Sequence, residues 1–328
     1  MTGYLLTRPT RAVLLLVLCG LHNSPAAAEY PEHQIKFLVP FTAGGPTDTL
    51  ARTLAEGMRT RMGQPVIVDN RSGAGGNIAA DFVSGAPADG YTLMLGTSGP
   101  LVINVSLYKK LAYDPIKSFD PVIMIGSLPN VLIVNPSFPA KTVGELVAYS
   151  KANKGALNFG HAGVGGSTHL AGVMFNHVIG TDLVPIAYRG SSQVLTDLIG
   201  GQVPLSFLDV YTAAPQINAG TIRALGVTAD RRTPLLPDVP TLDEQGIKNI
   251  DVSVIFGIVV PKGTPPDIVA KLNSTLSAVL EDTVTQALLN KQGIVRAPST
   301  KADYLTSFMM AEIPKWRDVI KSVGIEPQ

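Results

Sequence analysis

Glycine and hydroxyl residues cluster in three short segments, each of which follows a predicted strand and precedes a predicted helix. The segments are residues 41–48 (FTAGGPTD), 96–99 (GTSG) and 160–169 (GHAGVGGSTH). Glycine lets a backbone approach a ligand closely, and a helix N-terminus offers unpaired N–H groups with a partial positive charge. Together these features predict an anion-binding site that needs no lysine or arginine.

The same segments could instead be ordinary strand-to-helix turns in which Ser, Thr and Asp cap the helices. The presence of three such segments favours a ligand site, because open α/β sheets bind ligands at the carboxyl ends of their strands. Hydroxyl groups add hydrogen-bond donors, at Thr42, Ser98, Ser167 and Thr168. A fourth glycine-rich segment, residues 73–77, is either another loop at the site or a tight turn into the next helix.

Three charged residues near these segments each allow two interpretations. Arg189 follows a predicted strand and could form a forked contact with a carboxylate, or it could be solvated or paired with Asp209. Asp209 ends a predicted strand and could accept a hydrogen bond from a ligand hydroxyl or amine, or cap a following helix. Asp48, in the first turn of a predicted helix, offsets the helix dipole and could orient the preceding loop.

The motifs of common catalytic and nucleotide-binding sites are incomplete. Two partial G-x-G-x-x-G patterns end in Ile78 and Thr168 instead of glycine. Ser167 and His169 are near neighbours, but no acid is placed to complete a triad, and His169 is predicted to pack or to brace its loop. His169 and His177 are too far apart along one helix to share a metal. We therefore predict no catalytic residue, no metal and no cofactor.

Composition excludes further classes of function. The 328 residues include 26 basic and 25 acidic residues, for a net charge of +1, and no long basic run. This balance argues against binding to nucleic acid or to an anionic membrane surface. A hydrophobic fraction of 45% is enough for a folded core.

The N-terminal residues predict export. Arg8 and Arg11 precede an apolar run at 12–21, and three alanines end at Ala28. This order is typical of a secretory signal peptide, here residues 1–28, and the apolar run is shorter than the roughly 20 residues that span a bilayer. An uncleaved anchor is the alternative. Cys19 is the only cysteine, so a mature chain without residues 1–28 has no thiol or disulfide chemistry.

Short β-branched runs alternate with helical patterns, which predicts an α/β fold with parallel sheets covered by helices. Residues 122–134 and 252–260 form two longer apolar runs, which we expect to cross between two lobes. Lobe 1 is then predicted to contain residues 29–127 and 250–328, and lobe 2 residues 128–249. The ligand cleft would lie between them.

Five segments in order along the chain carry a family resemblance, namely residues 40–48, 70–77, 89–93, 204–215 and 236–241. Through them, essentially the whole mature chain resembles the Bug family, the extracytoplasmic solute receptors of the tripartite tricarboxylate transporter type. The resemblance implies a type II periplasmic-binding-protein fold, with two lobes joined by two crossing strands. It also implies ligands such as di- and tricarboxylates, amino acids or aromatic acids.

In that family the loops equivalent to 41–48 and 163–169 grip a carboxylate through backbone amides, hydroxyls and bridging waters. The predicted ligand-binding residues are Phe41, Thr42, Ala43, Gly44, Gly45, Asp48, Ser98, Gly163, Gly165, Gly166, Ser167, Thr168, His169, Arg189 and Asp209. The chain departs from the family pattern near the expected cleft, where Ile255, Leu208 and Arg189 replace a more usual tryptophan, aspartate and lysine.

The resulting prediction is a monomeric periplasmic solute-binding protein that is not an enzyme. It would capture a small organic carboxylate and deliver it to the membrane permease subunits of a tripartite tricarboxylate-type transporter. One alternative is a ligand-sensing receptor for a membrane sensor kinase. The other is an exported enzyme acting on carboxylic acids, for which the sequence offers no nucleophile, base or metal set.

Overall fold

The computed structural model describes residues 1–3, 30–229, 231–250, 252–322 and 324–327. Most of the predicted signal peptide, residues 4–28, lies outside the described residues. Within the described part, ten strands alternate with ten α-helices. No helix in that part has both the length and the apolar character needed to cross a membrane.

The strands are β1 (Ile35–Val39), β2 (Val66–Asn70), β3 (Thr92–Thr97), β4 (Phe119–Val134), β5 (Asn158–His161), β6 (Val184–Ala187), β7 (Leu205–Asp209), β8 (Arg223–Val227), β9 (Ser253–Pro261) and β10 (Val295–Arg296). The helices are α1 (Pro46–Met62), α2 (Asn77–Ser84), α3 (Asn104–Leu107), α4 (Val143–Ala152), α5 (Ser167–Ile179), α6 (Ser191–Ile199), α7 (Val210–Asn218), α8 (Pro266–Leu280), α9 (Thr283–Gln292) and α10 (Ala302–Ser322). A 3₁₀ turn (Ala74–Gly76) precedes α2, and a π-helical turn (Gly99–Ile103) precedes α3.

One curled sheet with the strand order β2-β1-β3-β9-β4-β7-β5-β6 runs through the molecule, and β8 and β10 each pair with β4. The strands β2, β1 and β3 are parallel, as are β6, β5 and β7. We call the β2-β1-β3-β9 side with its helices lobe 1 and the β7-β5-β6 side lobe 2. The predicted α/β fold with parallel sheets is confirmed; the residue boundaries of the two lobes stay a prediction.

The 16-residue strand β4 joins the two lobes. Its residues Phe119–Pro129 pair antiparallel with β9 in lobe 1, and its residues Asn130–Val134 pair with β7 in lobe 2. The chain returns at Val252, whose carbonyl oxygen accepts a hydrogen bond of 2.8 Å from the Asn130 side chain, and then forms β9. The two long apolar runs are therefore the crossing strands, as predicted.

Local sequence explains where the site-forming helices begin and what they bury. Gly45 precedes α1 and Pro46 opens it, which suits proline because the first N–H of a helix has no partner. The apolar face of α1 is fully buried through Leu50, Leu54 and Met58. Burial of each such side chain contributes about 1.5–3 kcal/mol, so α1 is held firmly with its N-terminus at the edge of the sheet.

Helix α7 was not predicted from the sequence. It contains Pro215, and a proline inside a helical pattern usually marks a helix end because it lacks an N–H and its ring clashes with the preceding turn. In the structure, Asp209 caps this helix by accepting a hydrogen bond of 2.8 Å from the Thr212 amide. The capping interpretation of Asp209 is thus observed.

Candidate functional site

A cavity between the lobes lies where several strand-to-helix turns converge. We call it the inner chamber. Lobe 1 lines it through the β1–α1 turn, the 3₁₀ turn before α2, the end of β3 with the turn after it, and one residue of β9. Lobe 2 lines it through the turns after β5 and β6 and the end of β7. The lining residues are Phe41, Thr42, Gly45, Pro46, Thr47, Gly75, Thr97, Ser98, Gly99, Ala162, Gly163, Gly166, Ser167, Thr168, Gly190, Ser191, Ser192, Asp209 and Val254.

Three helices, α1 from lobe 1 and α5 and α6 from lobe 2, direct their N-termini at the inner chamber. The residues before them are Gly45, Gly166 and Gly190, and none of these helices has a side-chain cap. By contrast, α4 lies away from the chamber and is capped by Thr142, whose hydroxyl accepts from the Glu145 amide at 3.1 Å. Uncapped first-turn N–H groups need acceptors, and the helix dipoles favour a negative one.

Charged side chains are scarce in the inner chamber. Among its described lining residues there is no lysine, arginine or histidine, and Asp209 is the one ionisable side chain. The attraction for an anion must therefore come from backbone amides, helix dipoles and hydroxyls, as the sequence predicts. In the described part of the chain, no group of three or more His, Cys, Asp or Glu residues is placed to hold a metal ion.

The hydroxyl groups around the chamber differ in how they are bonded. Ser98 Oγ donates to the Ser253 carbonyl at 3.0 Å and accepts from the Ile255 amide at 2.9 Å, so it braces β9. Thr168 Oγ1 accepts from the Ala162 amide at 2.9 Å, which leaves its proton to be donated. Thr97, in contrast, is 2% exposed, and its hydroxyl has no hydrogen-bond partner in the part of the chain that the structure describes. A buried, unpartnered hydroxyl on a cavity wall is suited to bond a ligand.

Two histidines support the β5–α5 turn from behind. The rings of His161 and His169 lie 4.4 Å apart, and their Nδ1 atoms accept hydrogen bonds of 3.3 Å from the amides of Gly163 and Gly165. Burial lowers the pKa of His169 to about 4; burial and the neighbouring His169 lower the pKa of His161 to about 3. Both imidazoles are neutral at pH 7 and brace the turn, as predicted for His169.

Asp48 holds the β1–α1 turn in shape. Its carboxylate accepts from the Gly44 amide at 2.9 Å and from the Asn70 side chain at 3.0 Å, and forms an ion pair with Arg52 at 2.9 Å. Burial raises the pKa of this carboxyl, but the hydrogen bonds from Arg52, Gly44 and Asn70 outweigh it, so the pKa is lowered. Asp48 stays ionised and orients the loop without lining the chamber.

A second cavity, which we call the outer vestibule, adjoins the inner chamber through shared walls at Phe41, Gly75, Ala162 and Gly163. Arg189 lines the vestibule together with Tyr108 and Tyr188. Its side chain is exposed, and its backbone amide donates to Gln193 Oε1 at 3.2 Å. The structure records no ion pair between Arg189 and Asp209, whose oxygens bond Ser191 and Thr212.

The lobes touch each other beside the chamber, and glycines form the contact. A Cβ at Gly75 of lobe 1 would overlap the Val164 carbonyl oxygen of lobe 2. A Cβ at Gly165 of lobe 2 would overlap Asn104 Oδ1 on α3 of lobe 1, and one at Gly190 would lie 3.3 Å from Thr42 Oγ1. Side chains at these positions would keep the lobes apart.

Comparison with known proteins identifies the class of molecule. Residues 50–325 match the model of the tripartite tricarboxylate transporter family receptor. The chain belongs to this family. It is also 33% identical to protein BugT of Bordetella pertussis over 312 residues, which covers 95% of each chain.

Solved structures agree with this family membership and confirm the two-lobed periplasmic-binding-protein fold. The structure of R. palustris Rpa4515 with adipate superposes with a TM-score of 0.87 at 36% identity, covering 92% of the receptor described here and 100% of that chain. The periplasmic binding protein BugD superposes with a TM-score of 0.86 at 37% identity, covering 91% and 100%. The family consists of solute-binding receptors.

The structure brings most of the predicted site residues of this receptor to one place. Nine line the inner chamber, namely Phe41, Thr42, Gly45, Ser98, Gly163, Gly166, Ser167, Thr168 and Asp209. Arg189 lines the outer vestibule. The others, Ala43, Gly44, Asp48, Gly165 and His169, lie in the same loops or brace them without lining the chamber.

Sequence reasoning missed several chamber residues of the receptor. Gly190, Ser191 and Ser192 repeat the strand–glycine–hydroxyl–helix pattern of the other loops, so the same signal could have found them. Gly75 belongs to the fourth glycine-rich segment, which lies at the chamber and also leads into α2. No local signal marks Thr97 over other strand threonines, because its lack of a hydrogen-bond partner is a property of the packed site.

Proposed function

We propose that this receptor captures a small organic carboxylate in the inner chamber and delivers it to the membrane permease subunits of a tripartite tricarboxylate-type transporter. The observation that carries the proposal is the convergence of three uncapped helix N-termini, those of α1, α5 and α6, on a cavity whose described walls hold no cation. This arrangement suits a carboxylate, whose oxygens accept several N–H bonds at once. Adipate, which accompanies the related Rpa4515 in its solved structure, is an acid of that class.

In the proposed binding mode, the carboxylate lies between Thr42–Gly45 of lobe 1 and Gly163–Thr168 of lobe 2. A ligand can favour closure only by contacting both lobes, and these two turns belong to different lobes. The hydroxyls of Thr97 and Thr168 would add direct hydrogen bonds, and Asp48 and His169 would keep the two turns in position.

We further propose that the protein is exported to the periplasm with loss of residues 1–28, acts as a monomer and is not an enzyme. The proposal that the protein is not an enzyme is supported by the chemistry around the chamber. His161 and His169 use their Nδ1 atoms to brace the turn and have a lowered pKa, so neither is suited as a general base at neutral pH.

Binding to a ligand-stripped preparation tests the proposed function. A panel of mono-, di- and tricarboxylates is screened by thermal shift, with the corresponding amides as uncharged controls. An acid at a hundredfold excess over its dissociation constant should stabilise the folded protein by about 2.7 kcal/mol. Stabilisation by an amide equal to that by its acid would contradict the role of the helix N-termini.

Thr97→Val should separate binding from stability. Valine keeps the shape of threonine but removes a buried hydroxyl that lacks a partner among the described residues. We expect affinity for the best acid to fall roughly 10- to 100-fold, because a hydrogen bond to a charged carboxylate contributes about 1.5–3 kcal/mol, while the melting temperature stays equal or rises. Calorimetry and thermal melts measure the two effects. Unchanged affinity would exclude Thr97 from the binding site.

Arg189→Ala should have a small effect that depends on ligand length. The side chain is exposed in the outer vestibule, and exposed ion pairs contribute only about 0–1 kcal/mol. We expect dicarboxylates long enough to reach the vestibule to bind at most about fivefold more weakly, and monocarboxylates to be unaffected. Lys154→Ala, which removes an exposed cation elsewhere on lobe 2, is the control. A loss of more than about tenfold would place Arg189 inside the closed site.

A further inference from the structure

Asp209 is an unusual residue to find on the wall of a chamber that receives anions. It is the last residue of β7, lines the inner chamber and is only 2% exposed. Its Oδ1 accepts from the Thr212 amide at 2.8 Å and thereby caps α7, and its Oδ2 accepts from the Ser191 hydroxyl at 2.7 Å. A carboxylate can accept about four hydrogen bonds, so these two contacts leave acceptor capacity on both oxygens.

The protein supplies no opposite charge for this carboxylate in the described part of the chain. None of the ion pairs recorded there includes Asp209. The nearest candidate in sequence, Arg189, lines the outer vestibule instead. The cap of α7 needs only one oxygen, and a neutral Asn or Ser at this position would serve it equally well. The positive end of the α7 dipole offsets only part of a full negative charge, so Asp209 lacks an ionic partner among the described residues.

A buried carboxylate and a bound carboxylate repel each other unless a positive group or a shared proton lies between them. The described walls of the chamber offer no cation, and a ligand that carries its own positive group removes the repulsion without a change in protonation. From this we infer that the inner chamber selects carboxylates that carry an ammonium group, with Asp209 as the partner of that ammonium. The inference rests on the proposed function and narrows its ligand class to aminocarboxylates.

The rest of the chamber is compatible with such a zwitterion. The helix N-termini of α1 and α5 receive the carboxylate, and the end of β7 presents Asp209 to the ammonium. The unpartnered hydroxyl of Thr97 can donate to the carboxylate or accept from the ammonium. Each charge of the ligand then meets a group of opposite polarity, and the net charge added to the buried chamber is zero.

Matched pairs of acids test the inference on the mature, ligand-stripped protein by calorimetry at pH 7. The pairs are propionate and alanine, succinate and aspartate, glutarate and glutamate, and adipate and 2-aminoadipate, and malate serves as the hydroxyl analogue of aspartate. Within the pairs that bind, we expect the amino form to bind at least tenfold tighter. A preference for the unsubstituted or the hydroxy acid would overturn the inference but leave the proposed function intact. Absence of binding by every acid would overturn both.

The variant Asp209→Asn provides a second test of the inference. Asparagine keeps the cap of α7 and the size of the side chain but removes the charge. Its NH2 group replaces the oxygen that accepts from Ser191, whose hydroxyl can rotate to accept instead. We expect aminocarboxylates to bind roughly 10- to 100-fold more weakly, since hydrogen bonds to charged groups contribute about 1.5–3 kcal/mol, and the unsubstituted acids to bind more tightly. Asp182→Asn, an exposed acid on the same lobe, is the matched control, and Asp209→Ser is a second capping variant. An equal loss for both members of a pair would assign Asp209 a structural role and overturn the inference.

Discussion

Gly165→Ala should weaken binding of the best carboxylate roughly 10- to 100-fold, although Gly165 does not line the inner chamber. The added Cβ would overlap Asn104 Oδ1 and lie 2.9 Å from Leu107 Cδ1, and both atoms belong to α3 on the opposite lobe. Overpacking of this kind costs about 1–3 kcal/mol. The cost falls on the closed arrangement alone because separating the lobes relieves it, and apparent affinity falls with the closed population.

A matched glycine controls for backbone strain. Gly165 has φ +79°, which strains an alanine regardless of the space around it, and Gly246 has φ +83° with no other heavy atom within 4 Å of its added Cβ. Both alanine variants should melt at a lower temperature, by similar amounts. Only Gly165→Ala should lose affinity in calorimetry. If its affinity matches that of Gly246→Ala, contact between α3 and the β5–α5 turn is not needed for binding.

Acidification from pH 7.5 to pH 5 should remove about 4 kcal/mol of unfolding free energy through His161 and His169. Burial lowers their pKa to about 3 and about 4, from an ordinary value of 6.5. The two imidazoles therefore bind protons near pH 6.5 in the unfolded chain but stay unprotonated at that pH in the folded chain. This contribution to the free energy of unfolding is fully present above about pH 6.5 and is lost as the pH falls toward 4. At pH 5 the loss amounts to about 2 kcal/mol per histidine.

Urea denaturation at several pH values between 5 and 7.5 measures this dependence. His169→Gln keeps a side-chain acceptor near the Gly165 amide but cannot be protonated, so it should lower the pH dependence by about half. His161→Gln should act similarly. His177→Gln removes an exposed histidine from the same helix, α5, and is the control. An undiminished pH dependence in both buried-histidine variants would show that other groups cause the acid sensitivity.

Local sequence was sufficient to predict most of the elements and the kind of site. The alternation of strands with helices and the two long apolar runs were predicted correctly, because apolar periodicity and β-branched runs act over a few residues. Glycines that precede helices also predicted amide-based anion binding. Helix α7 was missed because Pro215 is a local signal that tertiary packing overrides.

The sequence by itself determined which loops carry glycine, hydroxyl and helix N-termini, and hence the chemistry available to a ligand. Only the tertiary structure decided which of these groups are already hydrogen-bonded within the protein and which can bond a ligand. Ser98 is bonded to the carbonyl of Ser253, 155 residues away, whereas the hydroxyl of Thr97 beside it has no partner among the described residues. Asp209 likewise faces the chamber without a cation because Arg189 lies outside it. Pairing depends on distances between remote segments, and these distances exist only after the two lobes have packed.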